Sequence, residues 1–123
     1  MEDCLFCKII KGEEDSLTIY EDDKVKVMLD AFPNSIGHTL IVPKEHFKDL
    51  DDISLETLNH IFTIAKKIKP ILEEKLNPES IVLIQNNGEA EKIKHFHLHL
   101  IPYYDKDKTP NLTREEVYDL ITK

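Results

Sequence analysis

Three histidines, His95, His97 and His99, alternate with Phe96, Leu98 and Leu100 and run into Ile101-Pro102. In an extended chain successive side chains point to opposite faces, so the three imidazoles share one face and the apolar residues the other. A helix would scatter them around its axis, so the pattern predicts a strand over 95–102, with Pro102 ending it for want of an N–H. Imidazoles so placed admit two chemistries. All three can bind one ion and leave an open coordination position. Alternatively, one neutral imidazole can act as a nucleophile toward phosphorus or acyl carbon. Spacing alone leaves both open.

Other residues bear on that choice. Cys4 and Cys7 form a Cys-x-x-Cys pair. Two thiolates need two further ligands to close a tetrahedral zinc site, and a histidine at the end of the triplet can be one. A closed Cys₂His₂ site is structural and leaves His97 and His99 for chemistry. His38 precedes a strand and His46 follows it. Asp30 ends a strand, where a carboxylate can accept two ribose hydroxyls. The amides of Asn86-Asn87-Gly88 form a turn that can line an anion pocket beside His97.

The elements that must position these groups follow from periodicity. Cys4–Lys11 reads as a short helix stopped by Gly12. Leu17–Glu21 and Lys24–Asp30 read as a hairpin, with Val25, Val27 and Leu29 on one face. Gly37–Val42 is a third strand and Ser80–Gln85 a fourth. Between them lies one long helix, capped by Asp52 or Ser54, with Leu55, Leu58, Phe62, Ala65, Ile68 and Leu72 as its apolar stripe. Pro70 should kink or split it. Ile61, Ile64 and Ile71 form a second apolar side, available either to a dimer partner or to the core. Asp105–Asn111 is a charged loop, and Thr113 with Glu116 suits a capping box on a short last helix. The expected fold is α+β: a five-stranded antiparallel sheet, one long helix and short terminal helices.

The chain has 123 residues, suiting a single domain over 1–123, with a core over 1–104 and a loop and helix over 105–123. A formal net charge of −8 argues against nucleic acid or an anionic membrane as partner, though not against a small phosphorylated ligand. The acidic start Met1-Glu2-Asp3 lacks the pattern of a signal peptide, and no apolar run suits a membrane helix. A cytoplasmic location is expected, where Cys-x-x-Cys suggests metal or redox use rather than a structural disulfide.

Taken together, His-x-His-x-His before two apolar residues resembles the histidine triad (HIT) family of nucleotide-binding hydrolases and transferases. Cys4 to Glu13 is similar to the opening of its bacterial-type, zinc-carrying, Hint-like branch. Tyr20-Glu21-Asp22-Asp23 with Leu29-Asp30, Gly37 to His46, Gln85 to Gly88 and Ile101-Pro102 also match. The resemblance implies a homodimer binding a purine nucleotide. It implies that His97 attacks the α-phosphorus of a nucleoside monophosphate derivative (phosphoramidate, nucleotidyl-lysine or dinucleoside polyphosphate), giving a nucleotidyl-histidine that water hydrolyses. His99 would hydrogen-bond the phosphate oxygens or the leaving group, and His38 would lie beside the phosphate or His97. Asp30 would hold the ribose, with Leu5, Phe6, Ile9, Leu29 and Leu40 walling the base and Asn86 touching the phosphate or leaving group. Cys4, Cys7, His46 and His95 would hold a structural zinc, with no metal in the chemistry. A catalytically weak or inactive nucleotide-binding module is the alternative. Two segments depart from the pattern. The loop before the triad is shorter and reads Glu89-Ala90-Glu91-Lys92-Ile93-Lys94, placing acidic groups near the phosphate and offering Lys92 or Lys94 as its contact. Glu13-Glu14-Asp15 makes one wall of the base pocket polar through Glu14.

Overall fold

In the computed structural model, residues 4–123 are described, so the acidic start at 1–3 lies outside the described residues. Helix α1 spans Leu5–Ile10, β1 Thr18–Glu21, β2 Val25–Leu29 and β3 Thr39–Pro43. Helix α2 spans Leu55–Leu76, β4 Ser80–Ile84, β5 Leu98–Tyr103 and α3 Arg114–Thr122. The strands form one antiparallel sheet in the order β1-β2-β3-β5-β4. This is the expected α+β architecture.

Strand alternation divides the sheet into two faces. Val25, Val27 and Leu29 join Ile41, Phe96, Leu98 and Leu100 in the core beneath α2. Met28, Leu40 and Val42 point the other way and pack with Phe6 and Ile9 of α1. His99 pairs with Leu40 across the β3–β5 ladder, so its imidazole belongs to the α1 face.

Helix α2 differs from its expected stripe by a fraction of a turn. Ile61, Ile64, Ala65, Ile68, Leu72 and Leu76 are buried, whereas Leu55 is 75% exposed and Phe62 is 44% exposed. Ile61 and Ile64 are therefore core rather than a spare apolar side, and only Ile71 of that set is exposed. Spacing could not separate the two readings, because adjacent apolar residues such as Ile61 and Phe62 fit either stripe. Pro70 does not split α2, which runs unbroken for 22 residues. Pro70 sits on the exposed face, where water can serve the carbonyl left without its N–H. Ser54 is the cap, accepting the Thr57 N–H, and Asn77 ends the helix in the left-handed region at φ 52°.

Two prolines lie inside strands. Pro102 is within β5, which continues to Tyr103. Its carbonyl accepts the Ser35 hydroxyl on the β3 flank. In an antiparallel strand N and O of one residue point the same way, and β3 pairing has already stopped at Leu100, so the missing N–H costs no ladder bond. Helix α3 begins with the full Thr113–Glu116 capping box and packs on α2 and β1. The charged loop over 105–111 contains one 3₁₀ turn, Lys106–Lys108.

Candidate nucleotide site and adjoining metal centre

The ladder of β5 begins at Leu98, so His95 and His97 precede the strand instead of lying in it. The inward and outward alternation nevertheless persists: Phe96 enters the core while His95 and His97 stay on the α1 face. Backbone carbonyls set both rings. His95 Nε2 donates to Pro43 O at 2.8 Å, and His97 Nδ1 donates to His95 O at 2.8 Å. A carbonyl can only accept, so His95 presents Nδ1 and His97 presents Nε2 to their surroundings.

His95 Nδ1 points at sulfur. It lies 3.2 Å from Cys4 Sγ and 3.5 Å from Cys7 Sγ, while His46 Nδ1 is 3.2 Å from Cys7 Sγ and 3.1 Å from His95 Nδ1. The ligand atoms of Cys4, Cys7, His46 and His95 lie within 4.8 Å of one another. A tetrahedral ion with bonds of about 2.0–2.3 Å separates its ligands by roughly 3.3–3.8 Å, so this cluster suits one. Both cysteines are free. Without a cation, burial and the neighbouring Cys4 push the Cys7 thiol up to about 11, and burial pulls His95 down to about 4. A cation would favour the thiolate and use the neutral imidazole. The arrangement also rules on the single-ion reading of the triplet: His95 is turned to the cysteines, away from His97 and His99.

A second relay sets the remaining histidines. The Asn34 N–H donates to His38 Nδ1 at 3.0 Å, which leaves the hydrogen of neutral His38 on Nε2. His38 Nε2 donates to His99 Nδ1 at 2.9 Å. His99 therefore carries its own hydrogen on Nε2, and that buried nitrogen has no hydrogen-bond partner. Burial lowers His38, offset by Asp30 and reinforced by His97; burial together with His97 and His38 lowers His99 to about 4. Asp30 Oδ1 accepts the Phe32 N–H, and its Oδ2 lies 3.5 Å from His38 Nε2.

These groups bound a cleft of about 250 Å³. Leu5, Phe6, Ile9, Leu29, Asp30, Leu40, His97 and His99 all line it. His38 is bonded to His99 and lines a smaller cavity that shares Leu29, Asp30 and Arg114 with the cleft. Asn86 is partly buried beyond β4 and is not among the lining residues. Neither is Glu14; Asp15 supplies the polar wall instead. Lys92 and Lys94 do not line the cleft either, and Lys94 Nζ is bound to the carbonyls of Gly88 and Glu91. That bond folds the loop so that Glu91 faces inward.

Glu91 Oε2 lies 3.2 Å from His97 Nε2, and Oε1 accepts the Ile93 N–H at 3.1 Å. His97 Nδ1 already gives its hydrogen to His95 O, so Nε2 is the nitrogen that faces this carboxylate. Glu91, His97 and His99 are close enough to share a cation, but the hydrogen on His99 Nε2 leaves that ring no lone pair toward it. Arg114, the sole arginine, also lines the cleft and donates from Nε to Asp30 O at 2.9 Å. Its rarity was the one sequence signal for it, because α3 is remote in the chain from every other cleft residue.

Comparison with known proteins bears on family and fold. An uncharacterized HIT-like protein of Methanocaldococcus jannaschii is 38% identical over 106 residues, covering 85% of this chain and 81% of its own. The adenylylsulfatase HINT3 of Arabidopsis thaliana is 37% identical over 107 residues, covering 85% of this chain and 54% of its own. A Zn-bound histidine triad family protein from Mycobacterium smegmatis superposes with a TM-score of 0.89 at 32% identity, covering 98% of this chain and 91% of that one. The profile of the HIT domain matches residues 11–106, and the chain belongs to the HIT family.

Proposed function

We propose that this protein is a nucleotide hydrolase or transferase that cleaves the α-phosphate bond of a nucleoside monophosphate derivative through a nucleotidyl-His97 intermediate. The observation that carries this is the pair of fixed tautomers at one cleft: His97 keeps Nε2 free of its backbone bond, and His99, lining the same cleft, holds a buried, unpartnered Nε2–H close by. The first, in the neutral ring, carries the lone pair of a nucleophile. The second is a donor for a phosphate oxygen or the leaving group. The apolar lining of Leu5, Phe6, Ile9, Leu29 and Leu40 suits a purine base, and Asp30 suits ribose hydroxyls.

In this reading the His97 Nε2 lone pair bonds to phosphorus as the bond to the leaving group breaks, and the leaving group departs with that bond's electron pair. Water then bonds to the same phosphorus and releases a proton to solvent, while the P–Nε2 bond breaks and its electron pair returns to Nε2. Cys4, Cys7, His46 and His95 would hold zinc, which ties α1 to the segment carrying His97 and stays outside the reaction. A cytoplasmic location suits the free thiols. A homodimer suits the exposed Val82 and Leu83 on edge strand β4 and Phe62 and Ile71 on α2. No helix of the described residues is long and apolar enough to cross a membrane.

The experiment is release of AMP from adenosine 5′-phosphoramidate, with His97→Ala as control. Release by the wild type and none by the variant supports the reading. One observation favours a second reading, a nucleotide-binding module without turnover: Glu91 caps the nucleophile. AMP binding without release from phosphoramidate would select it.

A further inference from the structure

Glu91 is the least expected group in the cleft. Reacting atoms approach to about 3–3.5 Å before bond formation. Glu91 Oε2, 3.2 Å from His97 Nε2, stands where the phosphorus must come. The position is built rather than incidental. The carboxylate is held by the Ile93 N–H, its side chain is only 16% exposed, and Lys94 pins the loop through the Gly88 and Glu91 carbonyls. No lysine of that loop lines the cleft to neutralise it. An entering phosphate must push the carboxylate aside, and the clamped loop keeps it beside the group attached to phosphorus.

We infer that Glu91 sets the choice of leaving group, favouring an amine nitrogen over an anionic oxygen. The inference rests on the nucleotide-transfer reading above. With a phosphoramidate, a proton from solvent passes by way of the Glu91 carboxylate to the leaving nitrogen. His97 Nε2 then bonds to phosphorus, the P–N bond breaks, and its electron pair stays on nitrogen, which departs as a neutral amine. The negative carboxylate meanwhile faces an N–H donor. With a mixed anhydride such as a phosphosulfate, the P–O electron pair stays on oxygen, the leaving group needs no proton, and its negative charge faces the carboxylate. Two like charges a few ångströms apart in a half-enclosed cleft are worth about tenfold or more in rate.

The test compares kcat/KM for adenosine 5′-phosphoramidate and adenosine 5′-phosphosulfate in wild type, Glu91→Gln and Glu91→Ala. Glutamine keeps the shape and removes the charge and the proton relay. The ratio of phosphoramidate to phosphosulfate efficiency should fall at least about tenfold in both variants. A ratio within about twofold of wild type, whatever the absolute loss, overturns the inference, since a purely structural role would slow both substrates alike. If the wild type turns over neither compound, the transfer reading fails separately. The inference is then read from dissociation constants of the same two ligands: a selective gain for phosphosulfate in Glu91→Gln supports it, and equal gains overturn it.

Discussion

His38 Nε2 stands 2.9 Å from His99 Nδ1, and this one bond decides which nitrogen of His99 carries the hydrogen. His38 is itself fixed by a backbone N–H, that of Asn34. Replacing His38 by Ala removes the acceptor of that N–H and lets His99 take either tautomer. The expected outcome is a kcat lower by roughly tenfold to a hundredfold with a much smaller change in KM, because His38 acts through His99 and does not line the main cleft. Steady-state kinetics on the phosphoramidate checks it.

The same burial makes the fold acid-sensitive. His38 and His99 are held below 6.5 in the folded chain, His99 at about 4, chiefly by burial. An unfolded chain takes up their protons first. Their contribution is therefore complete above about pH 6.5 and is lost as the pH falls toward 4. Melting temperature should drop between pH 7 and pH 5, and His99→Asn should shrink that drop. Melts of both proteins at the two pH values decide the point.

Asp22 anchors the first hairpin. Its Oδ1 accepts the N–H groups of Lys24 and Val25, both at 2.8 Å, and its Oδ2 accepts from Tyr20 at 2.9 Å and His60 of α2 at 2.8 Å. Burial raises its carboxyl, but these bonds outweigh burial and hold it well below the usual range. Asp22→Ala should cost about 2 kcal/mol at neutral pH. The depressed carboxyl adds stability above about pH 4, lost as the pH falls further. His60→Ala should cost less, since one bond is lost rather than four. Urea unfolding of both variants gives the ordering.

Much of this was legible in the sequence. Five of the six histidines meet at two adjoining sites, and the apolar wall follows from strands and one helix whose alternation is plain. What was not legible is carried by backbone atoms. Pro43 O, His95 O and Asn34 N orient three rings, and no residue type announces a carbonyl. The loop sequence announced acidic groups near the phosphate, but not that Glu91 rather than Glu89 lines the cleft, nor that Lys94 turns to two carbonyls of its own loop. The stripe of α2 was misplaced because Ile61 and Phe62 satisfy helical spacing equally, and only packing beneath the sheet separates them.

The cysteine–histidine cluster makes a separable prediction. Protein purified without chelator should carry about one zinc per chain by elemental analysis. Cys7→Ser should lose the metal and melt lower, because α1 and the residue before it would then meet His95 only through the Phe6 ring and the Cys4 thiol. A zinc content well below one per chain would falsify the assignment.

Gly37 offers a test of how closely the fold holds His38. Its φ is +89°, a region side chains rarely adopt, and an added Cβ would meet Leu76 Cδ1 in overlap and Pro102 Cγ at 3.3 Å. Leu76 ends α2 and Pro102 lies in β5, so neither can retreat freely. Gly37→Ala should therefore destabilise by about 1–3 kcal/mol. The strain falls one residue before His38, whose ring is set within 3.0 Å of Asn34 N and 2.9 Å of His99. The variant should lose kcat as well as stability, and the kcat loss should persist at temperatures where it is fully folded. A variant that melts lower yet keeps wild-type kcat when folded would show that the bonds from Asn34 and to His99 hold the His38 ring in place despite movement of the backbone before β3.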